Sequence, residues 1–402
     1  MASRPWLNRN VAGMTLTSLL SDACYEMIIA VLPGFVAAVG ISPAALGWIE
    51  GAADALSSFL KLWAGWYSDH IGKRKWIVVT GYLFTGTGMS LFALAAGWPM
   101  LLMGRMASWF GKGIRGSLRD AMLSESVPAE FRGRAFGFHR AGDTVGAVIG
   151  PLAGIALLHW LPAPTPGHPF RIIFLLSLIP GLAAPLAFAL LVRETGRGGA
   201  SGKRLWCTLQ ELPHPFRRFL AAAGVFGLGD FSPTLLVMAA TVSLTPAHGK
   251  VGAASIAAGL YLVRNVVEAI TAYPIGAWSD RTRRTWILSG GYTVAAAVAV
   301  FAGISHGVVA WSAVFVAAGV FAAAKDTLES AIPAAMITER IRGTAYGALG
   351  FVNGFGDLAS SALVGTLWPA VSPFAAFATA ACIMAAGAML MAFAVDANQK
   401  NV

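Results

Sequence analysis

Apolar residues run in long blocks along this chain, and each block is long enough to cross a lipid bilayer. A helix rises about 1.5 Å per residue, so about 20 apolar residues span the hydrocarbon core. Such stretches recur at roughly 11–37, 43–68, 76–96, 98–123, 133–160, 171–193, 218–242, 251–279, 286–306, 309–336, 343–370 and 372–396. The pattern predicts an all-α integral membrane protein with twelve spans. Several stretches exceed the minimum, which predicts tilt or extension past the lipid. The first follows Arg4 and Arg9 but holds Asp22 and Glu26, so it reads as a span and not as a cleavable signal. The longest interruption, 194–217, is Gly-rich and basic, as a tether should be. Its Leu205, Trp206 and Leu209 suit either a surface-lying run or a simple tether.

The spans fall into a duplicated series. Gly65-Trp66-Tyr67-Ser68-Asp69, with Trp76 and Tyr82 beyond, recurs as Gly276-Ala277-Trp278-Ser279-Asp280 with Trp286 and Tyr292. Arg132-Gly133-Arg134-Ala135-Phe136-Gly137 recurs as Arg342-Gly343-Thr344-Ala345-Tyr346-Gly347. Two independent motifs sharing one offset of about 210 residues imply a duplicated unit of half the chain. The expected organisation is a six-helix bundle over 1–193, a linker over 194–217 and a second bundle over 218–402. In so apolar a chain, a two-fold repeat points to a secondary transporter with its substrate site between the halves.

Composition agrees, at 56% hydrophobic and 12% charged residues against about 25% charged in soluble domains. The net charge of +10 is distributed by loop. With twelve spans and both ends inside, the inner loops carry nearly all Lys and Arg, and the outer loops carry only Arg171 and Lys250. That asymmetry is the positive-inside rule, and it places both termini in the cytoplasm of a cell's inner membrane. It assigns the basic surface to an anionic leaflet and excludes nucleic acid as a partner. Cys24, Cys207 and Cys382 lie too far apart for a metal or disulfide framework and read as free thiols.

Gly65-x-x-x-Asp69-His70-x-Gly72-Lys73-Arg74 resembles the signature loop of the major facilitator superfamily, between the second and third helices. A degenerate copy runs from Gly276 to Arg284. The resemblance implies two pseudo-symmetric six-helix bundles rocking around a central cavity. It also implies that Asp69 latches the halves in the outward-facing state, with Gly65, Gly72 and Arg74 as conformational residues. Asp280 matches Asp69, although its loop lacks the equivalent of Gly72. From the residues alone, Asp69 pairs either with a basic side chain or with a helix N-terminus, or it caps its own loop. Gly137, Gly146, Gly150-Pro151 and Gly154 resemble the fifth-helix antiporter signature of the superfamily's proton-coupled drug exporters. The match departs at Ile155, where a second Gly is expected. Small residues at this spacing admit close helix packing, and Pro151 removes a backbone donor. The exporters also carry an Arg in the fourth helix with Gly four residues on. Arg105 matches, but Trp109 holds the Gly position.

Charges inside spans are costly, about 2.5–3.5 kcal/mol each near the centre, and mark cavities or ion pairs. Asp22, Glu26, Asp54, Lys112, Asp230 and Arg264 fall near mid-depth by residue count, whereas Arg115, Arg119, Asp120, Arg140, Asp143, Lys325, Asp326 and Glu329 fall in the inner third. The inner set reads as a gate of ion pairs or as static pairs. The mid-depth set reads as the site: Asp22, Glu26 and Asp54 for protons, and Lys112, Asp230 and Arg264, together with Arg105 and Glu268, for substrate. Two carboxylates one turn apart disfavour double ionisation and suit proton exchange. The repeat sets Arg119 against Glu329 and Asp143 against Asn353, so the two halves differ in chemistry. Trp48, Trp63, Trp98, Trp109, Trp160, Trp311 and Trp368 read mostly as an interfacial belt.

No Walker loop or nucleophile elbow appears, and no metal or cofactor is expected. The expected function is proton-coupled efflux of a small charged or amphiphilic solute by a monomer, with protons and lipid as its other partners. Alternatives are a proton-coupled importer of a metal ion, metal chelate or organic anion and, remotely, an enzyme or receptor on a transporter-like scaffold. The topology is testable. A cysteine placed at position 201 is expected to escape an impermeant thiol reagent on intact cells, and efficient labelling there overturns the twelve-span model.

Overall fold

Long helices account for nearly all of the described residues, because a backbone in lipid must satisfy its own hydrogen bonds. The computed structural model describes residues 6–38, 43–161, 168–195 and 205–395, apart from the side chains at 33, 34, 36–38, 43–52, 55, 250, 251, 254, 255, 394 and 395. The first part of the chain forms α1 (Arg9–Ala38), α2 (Pro43–Ile71), α3 (Lys75–Ser90), α4 (Trp98–Glu125), α5 (Arg132–Trp160), α6 (His168–Leu176) and α7 (Leu178–Leu191). The short α8 (Leu205–Gln210) follows. Then come α9 (His214–Gly227), α10 (Pro233–Ser279), α11 (Arg284–Ala302), α12 (Gly307–Ala331), α13 (Pro333–Met336), α14 (Arg342–Ala370) and α15 (Pro373–Leu390). Among the described residues, seven helical segments are long and apolar enough to cross a membrane. Helix α4 is not one of them, since Arg105, Lys112, Arg115, Arg119, Asp120 and Glu125 all lie on it.

The expected spans 218–242 and 251–279 need correction. The chain is helical from His214 to Gly227, breaks at 228–232, and resumes in one run to Ser279 that is kinked at Gly249. Gly229 and Pro233 explain the break. Proline lacks an N–H and favours the first helical turn, where Ser232 Oγ accepts from Thr234 N at 3.3 Å. Gly249 sits at φ 69°, a left-handed conformation that glycine alone adopts without strain. Of the linker, 196–204 lies outside the described residues, and with it the labelling site at 201. Leu205–Gln210 is helical, with Trp206 exposed.

The chain divides into two compact units. One comprises 1–129, 142–211 and 338–350, and the other 130–141, 212–337 and 351–402. In the first, α2 and α3 pack on α4, and α1 and α3 pack on α7. In the second, α10 and α11 pack on α12, and α9 and α11 pack on α15. The same four pairings therefore recur, as the 210-residue repeat requires. The first turns of α5 belong to the second unit, and the first turns of α14 to the first.

Close packing between these helices depends on missing side chains. A Cβ on Gly111 would lie 2.3 Å from the Gly81 carbonyl oxygen, and one on Gly86 2.5 Å from that of Gly181. Nothing lies within 4 Å of a Cβ on Gly290. Gly111→Val is therefore expected to destabilise the fold by about 2 kcal/mol or more. Gly290→Ala is expected to be neutral or to gain about 0.5–1 kcal/mol. Thermal unfolding in detergent checks both; equal melting temperatures for the two variants overturn the packing argument.

Candidate functional site

Four backbone amides at the start of any helix lack partners within it, and α5 and α14 both meet that deficit with a carboxylate from another helix or its end. In the first unit, Asp69 lies near the end of α2 and faces the start of α14. Asp69 Oδ1 accepts from Gly343 N at 3.0 Å, and Oδ2 accepts from Thr344 N at 2.7 Å and Thr344 Oγ1 at 2.8 Å. Arg74 Nη2 donates to Oδ1 at 2.9 Å. Both alternatives for Asp69, a basic partner and a helix N-terminus, are realised together. The second unit repeats the arrangement at the start of α5. Asp280 accepts from Gly133 N at 2.8 Å, Arg134 N at 3.0 Å and Arg284 Nη2 at 3.0 Å. Glycines make this approach accessible: a Cβ on Gly65 would meet Gly343 O at 2.1 Å, and one on Gly276 would meet Gly133 O at 2.1 Å.

The copies differ in detail. Gly72 ends α2 at φ 64°, while the second loop, one residue shorter, needs no left-handed residue. Arg74, 1% exposed, also donates to Glu125 Oε1 at 2.5 Å, and Arg342 Nη1 lies 3.5 Å from the same oxygen. Glu194 caps the start of α3, accepting from Arg74 N at 3.1 Å and Lys75 N at 3.0 Å. In the second copy, Arg132 instead donates to the Ala334 carbonyl at 2.5 Å. Sequence reading missed Glu125 and Glu194. Their only signal is that they are lone acids beside basic inner loops.

The glycines of the fifth-helix signature divide between the units. Gly137 packs on Ala272 in the second. In the first, a Cβ on Gly146, Gly150 or Gly154 would lie 2.3, 2.7 or 2.8 Å from the carbonyl oxygens of Leu19, Ala23 and Met27 on α1. Gly142, which the motif does not include, continues the seam against Thr15. Pro151 lies beside it within α5, and Ile155, the departure from the motif, is exposed and outside the seam.

Next to this seam lies the first unit's charge cluster. Asp22, 7% exposed, hydrogen-bonds Asp143 and lies 3.9 Å from Arg115, whose guanidinium stacks over Tyr82 at 4.1 Å. Arg119 pairs with Asp120 at 2.9 Å and donates to Ser18 Oγ at 3.1 Å and to the Tyr82 hydroxyl. Glu26 bonds Tyr25. Asp54 is exposed and accepts from Trp109 Nε1 at 2.5 Å. Trp109 is no belt residue. It is 6% exposed, stacked by Arg105 at 3.6 Å, and met edge-on by Tyr25. Lys112 lies 4.6 Å from the Tyr25 ring centre and 4.9 Å from that of Trp109.

The second unit builds a different network. Asp230, in the break before α10, pairs with Lys325, and its carbonyl accepts from Ser360 Oγ at 2.8 Å. Glu268 bridges Arg264 at 2.9 Å and Arg140 at 3.0 Å, and Arg140 also pairs with Asp326. Glu329 accepts from the Tyr292 hydroxyl and from Asn353 Nδ2, the latter at 2.6 Å. The mid-depth and inner sets are therefore interleaved, since Asp230 pairs with Lys325, Arg264 joins Arg140 through Glu268, and Asp22 meets Asp143. Depth by residue count ignores tilt and the broken helix, and this is why the division fails.

Removing one partner of a buried pair leaves an uncompensated charge. Glu125→Gln removes one of the two carboxylates that hold Arg74 and the nearer of the two beside Arg342, so a loss of about 3 kcal/mol is expected in thermal unfolding, with Glu125→Asp losing less. Equal stability of Glu125→Gln and the parent overturns this.

A transporter of Methanocaldococcus jannaschii described as an uncharacterized MFS-type protein is 29% identical over 391 residues, 96% of this chain and 95% of its own. The E. coli fucose:proton symporter FucP superposes with a TM-score of 0.78 at 15% identity, over 97% of this chain and 99% of its own. The human organic anion transporter MFSD10 gives 0.75 at 16%, over 97% and 100%. The family model of the Major Facilitator Superfamily matches residues 14–252, more than half of the chain. With its all-helical repeat and its two glycine-backed aspartates, the chain belongs to the Major Facilitator Superfamily of secondary transporters.

Proposed function

We propose that this transporter exports a small charged or amphiphilic solute in exchange for protons, by alternating access in the inner membrane. One observation carries the reading: the glycines of the antiporter signature lie along the same α1 seam that bears Asp22 and Glu26. A Cβ on Gly150 would lie 2.7 Å from Ala23 O and 3.1 Å from Glu26 Cβ. Movement of α5 along α1 therefore changes the surroundings of these carboxyls. In this mechanism Asp22 and Glu26 are the principal proton-responsive pair. Asp143 contacts Asp22, Asp54 is the next candidate, and Lys112 is a charge partner or substrate contact. Two adjacent carboxyls in low dielectric cannot both remain ionised, and a nearby cation or entering water changes that balance. Substrate and proton then compete for one cluster, which enforces exchange.

Asp69 and Asp280 serve as conformational residues, with Gly65, Gly72, Arg74, Gly146, Gly150 and Pro151 beside them. Arg115, Arg119, Asp143, Lys325, Asp326 and Glu329 form ion pairs made and broken during the cycle, and Arg105, Lys112, Asp230, Arg264 and Glu268 line the path of the solute. The bundles run over 1–193 and 218–402, joined by 194–217. Both termini and the linker face the cytoplasm, and the working unit is a monomer. These assignments rest on the motif resemblance, on the Lys/Arg asymmetry and on the contacts above.

Neutralising Asp22, Glu26 and Asp69 singly in liposomes tests the mechanism. Asp22→Asn and Glu26→Gln are expected to abolish proton-driven flux while substrate counterflow persists. Asp69→Asn is expected to slow both, with folding intact. Wild-type proton-driven flux in both of the α1 variants sinks the coupling.

A further inference from the structure

Helix α4 of the first unit presents Arg105, Trp109 and Lys112 at i, i+4 and i+7, a spacing that puts them on one stripe. Two cations lie against the indole. The Arg105 guanidinium is 3.6 Å from its ring centre and the Lys112 ammonium 4.9 Å. Tyr25 of α1 stands nearly perpendicular to the indole, at 84° with ring centres 6.1 Å apart, and Lys112 lies 4.6 Å from the Tyr25 ring centre. The bond from Trp109 Nε1 to Asp54 holds the indole plane in place. Trp109 and Tyr25 thus form a fixed, two-sided aromatic wall, with one ammonium set against both rings.

Among the described residues, each nearby carboxylate already has a partner. Asp54 accepts from Trp109, Asp22 meets Arg115 and Asp143, and Glu26 bonds Tyr25. Among the described residues, Lys112 makes no ion pair and no hydrogen bond; it lies against the two rings, within the field of Asp22 and Glu26. A ring face attracts an ammonium but accepts few of its N–H bonds, so the charge still has bonds to give.

We propose that this cluster is the recognition subsite for a planar aromatic carboxylate, whose carboxylate bonds the Lys112 ammonium while its ring packs against Trp109 and Tyr25. The inference deepens the transport reading above by naming a substrate class. An anion provides the charge-assisted bonds that the rings cannot. A flat ring suits a perpendicular pair of rigid aromatics better than a flexible chain does. A cationic solute is disfavoured, because Arg105 and Lys112 repel it.

Isothermal titration calorimetry on the full chain in nanodiscs tests this with one ring system in three charge states: 2-naphthoate, 2-naphthylmethylammonium and 2-naphthylmethanol. Cyclohexanecarboxylate tests the need for a flat ring. The wild type is expected to bind 2-naphthoate, with each of the other three about tenfold weaker or more. Lys112→Met is expected to weaken 2-naphthoate by about tenfold, and Lys112→Arg to keep most of the affinity. Equal or tighter binding of the ammonium overturns the proposal, as does undiminished 2-naphthoate binding in Lys112→Met, or no binding of 2-naphthoate at millimolar concentration. If Lys112→Met fails to fold, the wild-type charge series decides alone. The titrations need no proton gradient. Binding of 2-naphthoate without any proton-driven flux would uphold the subsite and refute the coupling.

Discussion

A buried carboxylate lodged against the unpartnered amides of a helix start is the interaction on which the rest of each unit depends. Asp69 holds the first amides of α14, and Asp280 those of α5. A helix end inside so apolar a protein has few other acceptors, and the partial positive charge of that end favours an anion. The carboxylate reaches the amides only because the backbones nearly touch, and they touch only because Gly65 and Gly276 lack side chains. Aspartate and glycine four residues apart are therefore one device. Its Arg partner, Arg74 or Arg284, keeps the buried charge compensated.

Around this shared device the two units have diverged. Tyr82 and Tyr292 hold equivalent places, yet Tyr82 meets Arg119 near Asp143, whereas Tyr292 meets Glu329 beside Asn353. A cation with an acid in one copy corresponds to an acid with a neutral amide in the other. Glu125 gathers two arginines in the first unit, where the second relies on a backbone carbonyl. The first unit keeps its aromatic and cationic cluster on unbroken helices, while the second breaks the chain before α10 and fixes Asp230 there. Irregular backbone at membrane depth persists where side chains satisfy it, as Ser360 and Ser361 do here. The skeleton is repeated, but the chemistry carried on it is not.

Much of this was legible in the residues because its causes are local. Apolar length marks spans, and a Gly-Asp motif repeated at one offset marks the two copies of the duplicated unit. The break at 228–232 was also written locally, in Gly229, Ser232 and Pro233, but a hydropathy reading averages over such short signals. Trp109 was misjudged for a different reason. Counted along the chain it is one tryptophan among thirteen, and only the approach of α1 and α2 reveals it as the ring joining Arg105, Lys112, Tyr25 and Asp54.

By itself, then, the sequence determined the class of protein, most of the helices, the duplication and the two aspartates, since each follows from bilayer thickness, backbone hydrogen bonding or a motif a few residues long. Tertiary structure alone decided which charges pair. Asp22 finds Asp143 and Arg115, Asp230 finds Lys325, and Glu268 finds Arg140 across long stretches of chain. The physical reason is that an ion pair forms over about 4 Å, and the positions of side chains on that scale depend on helix tilt, kinks and glycine contacts. Residue spacing along one helix does not encode them.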